Sequence, residues 1–210
     1  MKKRLGIPLC LFVFSISILL ATGGIATAQE ADALMLFGAL DLSREDITTQ
    51  EFENAAKSLN IKRITNQRLQ VYGLSNSKAE KYYDATSVLP GTVVGVALFL
   101  ERNGEYYLAS FTYIFDTDVY STPRKVDALF QSLKSKYGEP SEKQQPKAGQ
   151  YLRTWNKSSG QSGLIFDTTI GILGAEDLSI AYVNAANTSK ILNQAEQQQS
   201  AVDAKKQSAL

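Results

Sequence analysis

The acidic pair Asp116 and Asp118 is the arrangement in this sequence that comes closest to a metal-binding or acid–base site. Two carboxylates separated by one residue in a loop could direct their oxygens at one cation such as Ca²⁺. Calcium takes about six to eight oxygen ligands, far more than this pair supplies. The alternative is a turn that ends the preceding strand and places negative charge before the next helix. The sequence favours the turn.

Two further patterns carry reactive groups. Ser75 and Lys78 form a Ser-x-x-Lys pattern, but they stand in a polar loop without the companion motifs of the serine enzymes that use it. The acidic residues Asp41, Glu45 and Asp46 are predicted to solvate the approach to a helix. A hydrolase of envelope glycan would need two carboxylates at a set separation in space, which the sequence does not define. Such a carboxylate-based hydrolase is kept as an alternative function.

Residue types that the common catalytic mechanisms need are missing. The sequence contains no histidine, so it lacks the commonest general base and a leading metal ligand. Its single cysteine, Cys10, lies in the N-terminal apolar run, and no Gly-rich phosphate-binding loop occurs. We therefore predict no catalytic, cofactor-binding or metal-ligating residues, and a protein that is not an enzyme.

Aromatic side chains are the second group with functional potential. Tyrosine and tryptophan are enriched at protein-binding surfaces because they combine a large contact area with a polar group. We predict that Tyr107, Tyr113 and Trp155 belong to an exposed protein-binding face, on the side of a sheet that helices leave uncovered. The alternative is that these rings pack in the core.

Residues 1–28 have the pattern of a cleavable secretory signal peptide. Three basic residues precede an apolar run, and Ala26-Thr27-Ala28 matches the small-x-small pattern that signal peptidase accepts. Cleavage after Ala28 would give a mature periplasmic or secreted protein that begins at Gln29. The alternative is a retained membrane anchor, since a membrane span needs about 17–25 apolar residues. Membrane association is predicted only in that second case.

The charge balance argues against nucleic acid as a partner. The chain has 22 basic and 21 acidic residues, and no basic stripe interrupts that balance. Cleavage would remove three basic residues, which lowers 22 to 19 against 21 and gives a net charge of −2. It would also remove Cys10, so the mature protein would have no disulfide and would depend on its hydrophobic core.

The first half of the chain is predicted to place a helix before three strands. Thr48 and Glu51 have the spacing of a capping box, apolar residues then recur at helical spacing, and Asn60 ends the helix. The predicted elements that follow are a strand at 68–74, a loop at 75–91 with one helical turn near 78–83, and strands at 92–100 and 106–115. Asn103-Gly104, between the last two strands, favours a tight hairpin turn.

The second half repeats this order of elements. A helix is predicted to begin at Thr122-Pro123, with Thr122 as its cap, and to end at Gly138. A polar loop at 142–149 and strands at 150–156, 163–167 and 178–183 complete the half. We predict an α+β fold, in which two helix-then-three-strand halves form one antiparallel sheet with both helices on one face. The predicted single domain spans 29–186.

The C-terminal segment 187–210 differs in composition from the domain. It is rich in Gln, Ala, Ser and Lys and has a thin apolar stripe. Its residue types favour a helix, which could dock a partner. Its low apolar content favours a solvated, partly disordered tail, and both interpretations stay open.

The order of elements, with Tyr-Gly-Glu-Pro at 137–140 and Tyr-Leu-Arg-Thr-Trp at 151–155, resembles small exported proteobacterial α+β proteins that have no assigned activity. It is more weakly similar to the helix-plus-sheet modules of the β-lactamase-inhibitor-protein and BamE-like types, over roughly residues 36–183. The resemblance implies a module that binds other proteins and catalyses nothing. The lipid-anchoring cysteine common in outer-membrane assembly lipoproteins is absent.

These observations predict an exported, non-enzymatic protein-binding module without a cofactor. It would serve as an envelope or secretion assembly factor, or as an enzyme inhibitor. The alternatives are the carboxylate-based glycan hydrolase and a structural component of the cell envelope.

Overall fold

The computed structural model describes residues 34–70, 74–157, 160–171 and 174–208. The predicted signal peptide and its cleavage site lie outside these ranges. Within them, none of the helices has both the length and the apolar character that crossing a membrane requires.

An eight-stranded antiparallel sheet organises the chain and confirms the predicted α+β class. Its strand order is β3-β4-β5-β6-β10-β9-β8-β7, so β6 and β10 meet at the centre; β1 and β2 form a separate two-stranded hairpin. The strands are β1 (Met35–Leu36), β2 (Leu40–Asp41), β3 (Lys62–Arg63), β4 (Glu80–Asp84), β5 (Thr92–Arg102), β6 (Glu105–Phe115), β7 (Glu142–Gln144), β8 (Gln150–Lys157), β9 (Ser162–Gly171) and β10 (Gly174–Asn184).

Four helices accompany the sheet in the described part of the chain. They are α1 (Thr49–Ser58), α2 (Asn66–Gln70), α3 (Pro123–Tyr137) and α4 (Ala185–Ser208). The two predicted helices, α1 and α3, contribute Phe52, Val126 and Leu133 to one hydrophobic cluster, as expected for helices on one face of the sheet. Four strands follow each of them, so the predicted count of three strands per half is wrong. Sequence patterns miss β3 and β7 because each has three residues or fewer.

The ends of α1 and α3 follow the predicted chemistry with two differences. Thr48 caps α1 by accepting a hydrogen bond from the amide of Glu51 (3.1 Å), but the Glu51 carboxylate pairs with Arg44 and does not complete the capping box. Thr122 makes no side-chain cap at α3, which starts directly at a proline. Gly138 ends α3 with φ = 82°, the left-handed conformation that glycine adopts without strain.

Two segments between α1 and β5 differ from their predicted structures. The segment predicted as a strand at 68–74 begins within helix α2, and residues 71–73 lie outside the described ranges. The helical turn predicted near 78–83 is instead the strand β4. In β4, Tyr83 joins the core beneath α1 whereas Tyr82 packs on the opposite face, which is the alternation of a strand buried on both sides.

The β5–β6 hairpin is confirmed at the predicted turn, where Asn103 and Gly104 both have positive φ. A bulge farther along changes which side chains share a face. Leu98 pairs with Ser110 but Phe99 pairs with Leu108, so one strand carries an extra residue. Because of this shift, Tyr107 faces the opposite side of the sheet from Tyr113, which corrects the prediction that they share a face.

The core beneath α1 is built from aromatic rings. Phe52 lies 5.3 Å from Tyr83, 5.6 Å from Phe99 and 5.5 Å from Phe111, measured between ring centroids. Gly95 makes room for this packing, because a Cβ there would stand 2.5 Å from the Phe111 ring. These rings therefore lie on the face of the sheet that α1 covers, and not on an uncovered face.

Helix α4 packs against the other face of the sheet through its first two turns. Leu192 is buried there against Leu152, Ile165 and Val183. The described side chains from residue 193 onward are exposed. The expected domain boundary at 187 thus falls inside a packed helix, and the segment predicted as a tail is helical to Ser208.

Buried asparagines fasten the start of α4 to distant backbone. Asn184 donates two hydrogen bonds, to the carbonyls of Leu42 and Arg44, both at 2.8 Å. Its Oδ1 accepts a third from the amide of Asn187 (2.8 Å), which caps the helix. Asn187 in turn donates to the carbonyl of Leu108 at 2.9 Å. We call these two residues the asparagine cluster.

Candidate binding groove

A surface groove of about 760 Å³ lies where the N-terminus of α1, the β3 and β4 strands and the tip of the β5–β6 hairpin meet. This volume is within the usual range of about 300–1,000 Å³ for ligand sites. The groove is lined by Thr48, Thr49, Gln50, Arg63, Asn76, Ser77, Lys78, Lys81, Glu105 and Tyr106. Sequence reasoning singled out Ser75 and Lys78 nearby but did not bring these segments together.

Hydrogen bonds fix the loop that forms one wall of the groove. The Asn76 side chain donates to the carbonyl of Ile64 (2.8 Å) and accepts from the amide of Tyr82 (2.8 Å). Ser77 Oγ accepts from the amide of Glu80 at 2.8 Å. These contacts give the groove a defined wall. They also use the Ser77 hydroxyl for a turn, and no described contact joins Ser75 to Lys78 as a nucleophile and base.

The opposite wall joins α1 to the hairpin. Thr49 Oγ1 donates to the carbonyl of Tyr106 (3.2 Å), and the backbone of Leu108 donates to that of Ile47 (2.8 Å). The Tyr106 hydroxyl donates to Glu101 (3.0 Å), which raises the pKa of Tyr106. Both walls are therefore attached to the sheet, and the groove does not depend on a free loop.

Three cationic side chains line the groove, of which one is buried and paired and two are exposed. Lys81 is 9 % exposed; its Nζ lies 2.9 Å from Glu53 and 5.4 Å from the centre of the Phe99 ring. Arg63 and Lys78 are exposed, and neither forms an ion pair or side-chain hydrogen bond with any other residue in the described ranges. The charge of Lys81 is thus balanced within the protein, whereas those of Arg63 and Lys78 face solvent.

The predicted binding aromatics lie elsewhere. Tyr113 is 3 % exposed and Trp155 is 1 % exposed, and both pack in the core under the helices, so their expected place on an exposed face is wrong. Burial raises the pKa of Tyr113. Tyr107 is half-buried on the opposite face, with the Arg102 guanidinium 4.3 Å from its ring centre. The structure therefore does not bring the three aromatics together.

The acidic patterns singled out from the sequence serve local structure. Asp116 accepts a hydrogen bond from the amide of Asp118 (2.8 Å), which is a turn as the sequence favours. Asp41 accepts two hydrogen bonds from Ser43, and Asp46 pairs with Arg44 (2.9 Å). No group of three or more His, Cys, Asp or Glu side chains in the described residues is placed to hold a metal ion.

One acidic pair was not recognisable from the sequence. Asp167 and Asp177 lie on the neighbouring strands β9 and β10, and a bulge next to Asp177 sets their relative positions. Desolvation, and then the Asp167 charge, raise the pKa of Asp177. Neither residue lines the groove. Only the strand register brings them close, so no local pattern could have indicated this pair.

Because the pKa of Asp177 is raised, its ionised form lowers the stability of the folded protein, and this effect depends on pH. The folded state holds this proton more tightly than the unfolded state, so stability falls as the pH rises through the raised pKa. We expect Asp177→Asn to raise Tm at pH 7, with a gain that shrinks as the pH approaches the ordinary value of 3.8. The effect should be small because the Asp177 side chain is exposed and water screens its charge. Thermal unfolding of Asp177→Asn and of the exposed Asp127→Asn at both pH values measures it; equal shifts would contradict the assignment.

Comparison with known proteins adds no further assignment. No family model matches the sequence, and neither a curated protein nor a solved structure is significantly similar to it.

Proposed function

We propose that this protein is an exported, non-enzymatic protein-binding module and that the groove is its recognition site. The observation that carries the proposal is the groove itself, a polar concavity with two exposed cationic side chains, Arg63 and Lys78, that form no ion pair with a described residue. Such groups gain favourable interactions when a partner of complementary charge binds. The N-terminal sequence supports export to the periplasm or the cell exterior, where the module would act as an assembly factor or an inhibitor.

The lining of the groove argues for binding and against catalysis. It contains no histidine or cysteine, and Glu105 is the one carboxylate among its ten residues. The Glu105 side chain accepts a hydrogen bond from the Tyr107 hydroxyl at 2.5 Å. Glycoside hydrolysis needs two carboxyl groups facing one bond, and the groove lacks the second. This favours the binding module over the alternative of a glycan hydrolase.

The edges of the main sheet are poor sites for a partner strand. β3 has two residues and β7 has three, and both are polar. Beyond the end of β7, the backbone amide of Asn156 on β8 donates a hydrogen bond to the Ser141 hydroxyl (3.1 Å). This amide is therefore not available to a partner strand. Short polar edge strands discourage pairing with another chain. The groove is therefore a better recognition site than a sheet edge.

A bulky substitution in the groove tests the proposal. Gln50 is exposed on α1 and its side chain contacts Asn54 one turn away, so Gln50→Trp should fill the groove without disturbing the core. We expect this variant to lose the proteins that the unmodified protein captures from envelope extracts of its source cells. The captured proteins are quantified by mass spectrometry.

The matched control is Gln131→Trp on α3. Gln131 is also an exposed helical glutamine; it contacts Asp127 one turn away and does not line the groove. Capture should persist in this variant. If Gln50→Trp and Gln131→Trp capture the same proteins in the same amounts as the unmodified protein, the groove is not the recognition site.

A further inference from the structure

We infer that the groove binds a short, extended, acidic segment of a partner protein. This inference rests on the proposed function and adds the chemistry of the occupant. It follows from three features of the groove: the sign of its unpaired charge, the presence of acidic residues in and next to its lining, and the polar groups along its walls.

The unpaired charge of the groove is positive. Lys81 is neutralised by Glu53, which leaves Arg63 and Lys78 against the single carboxylate of Glu105. The whole chain is nearly balanced, with 22 basic and 21 acidic residues, so this local excess is not a reflection of overall charge. A partner side chain with a carboxylate can form charge-assisted hydrogen bonds with both cations.

Acidic residues around the groove limit how many negative charges its occupant can carry. Glu53, Glu101 and Glu105 all lie in or directly next to the lining. Double-stranded DNA carries about one negative charge per 1.7 Å of its axis, so these residues would repel it. A peptide can space one or two carboxylates to meet Arg63 and Lys78 while neutral residues pass the glutamates. The charge pattern thus favours an acidic peptide over a polyanion.

The remaining lining suits a peptide backbone. Gln50 offers an exposed amide group at the N-terminus of α1, where the helix dipole also favours negative charge. Tyr106, half-buried on the same wall as Gln50, offers an aromatic ring. An extended segment exposes unpaired amides and carbonyls, so it gains from the polar groups along the groove, and its side chains gain from contact with the ring.

Fluorescence anisotropy with defined peptides tests the inference. The probe is a fluorescein-labelled peptide in which glutamate alternates with glycine, and its control has glutamine in place of every glutamate. The purified protein should bind the glutamate peptide more tightly, and added salt should weaken the binding. The double variant Arg63→Glu/Lys78→Glu should lose about tenfold in affinity, equivalent to about 1.4 kcal/mol.

The double variant Arg124→Glu/Lys147→Glu makes the same change of charge at exposed positions outside the lining. It should change the affinity less than twofold, and circular dichroism should report native folding for both double variants because all four residues are exposed. Equal affinity for the two peptides, or equal losses in the two double variants, overturns the inference. Tighter binding of a single-stranded oligothymidylate than of the glutamate peptide also overturns it, in favour of a polyanion.

The two proposals fail in different ways. If Gln50→Trp abolishes partner capture but Arg63→Glu/Lys78→Glu retains it, the groove binds proteins by other chemistry and only the acidic segment is wrong. If the glutamate peptide binds as expected but Gln50→Trp leaves capture intact, the protein-binding function of the groove is wrong.

Discussion

Replacing Trp155 with alanine is expected to destabilise the protein by about 3–5 kcal/mol, the usual cost of removing a large buried aromatic side chain. The ring is fully buried and packs near Phe130, with 6.1 Å between ring centroids. Its Nε1 donates to the carbonyl of Gly138 at 2.8 Å, which joins the end of α3 to β8. The substitution would therefore leave a cavity and remove the hydrogen bond that joins Gly138 to β8. The total stability of a domain is about 5–15 kcal/mol, so the loss is large.

Because Trp155 is the one tryptophan of the chain, unfolding is best followed by circular dichroism and calorimetry. Trp155→Phe keeps most of the apolar volume but loses the hydrogen bond, so it should fold and be destabilised less than the alanine variant. Tyr107→Ala removes a half-buried ring on the other face and should cost less than Trp155→Ala. A Trp155→Ala variant that unfolds like the unmodified protein would contradict the core position of this ring.

Asn184→Ala is expected to destabilise the protein by about 2–4 kcal/mol. The substitution removes the cap of α4 and leaves the carbonyls of Leu42 and Arg44 without their donor. A lost N-cap costs about 0.5–2 kcal/mol and each buried unpaired group about 1–3 kcal/mol, with incomplete additivity. Chemical denaturation followed by circular dichroism measures the change.

Two variants divide this effect into its parts. Asn193→Ala makes the same substitution at an exposed position of α4 and should change stability little. Asn184→Asp keeps an acceptor for the amide of Asn187 but removes both donors, so it separates the helix cap from the backbone contacts. If Asn184→Ala costs no more than Asn193→Ala, the asparagine cluster does not hold the two ends of the domain together.

The long, regular elements could be predicted because their signals are local. The turn at Asn103-Gly104 and the helix α3 each depend on residues within a few positions, such as Pro123 and Gly138. The bulge in the hairpin has no comparable signal, and one extra residue reverses the side of the sheet that Tyr107 faces. The prediction for the binding aromatics failed for that reason and because the rings pack under the helices.

The groove could not be predicted because its residues come from four separate segments. Gln50, Arg63, Lys78 and Tyr106 meet only after α1 is placed beside β4 and the hairpin tip. The motifs found in these segments, the capping-box spacing at Thr48 and the Ser-x-x-Lys pattern at Lys78, are local and do not indicate that the segments meet. One weak signal exists in hindsight. No acidic residue lies three or four positions from Arg63 or Lys78, but such a pattern has little weight in a chain with 22 basic residues.

The strand order has a consequence for the order of events during synthesis. Within each half, neighbouring strands are also neighbours along the chain, so their loops close quickly and at low entropic cost. The pairing of the central strands β6 and β10, here called the seam, forms only after nearly the whole chain is made. The same holds for the hydrogen bond from Asn184 to Leu42, which spans 142 residues. Until then β6 is an open edge able to pair with another unfinished copy. The time before the seam closes is therefore when the nascent protein is most exposed to aggregation.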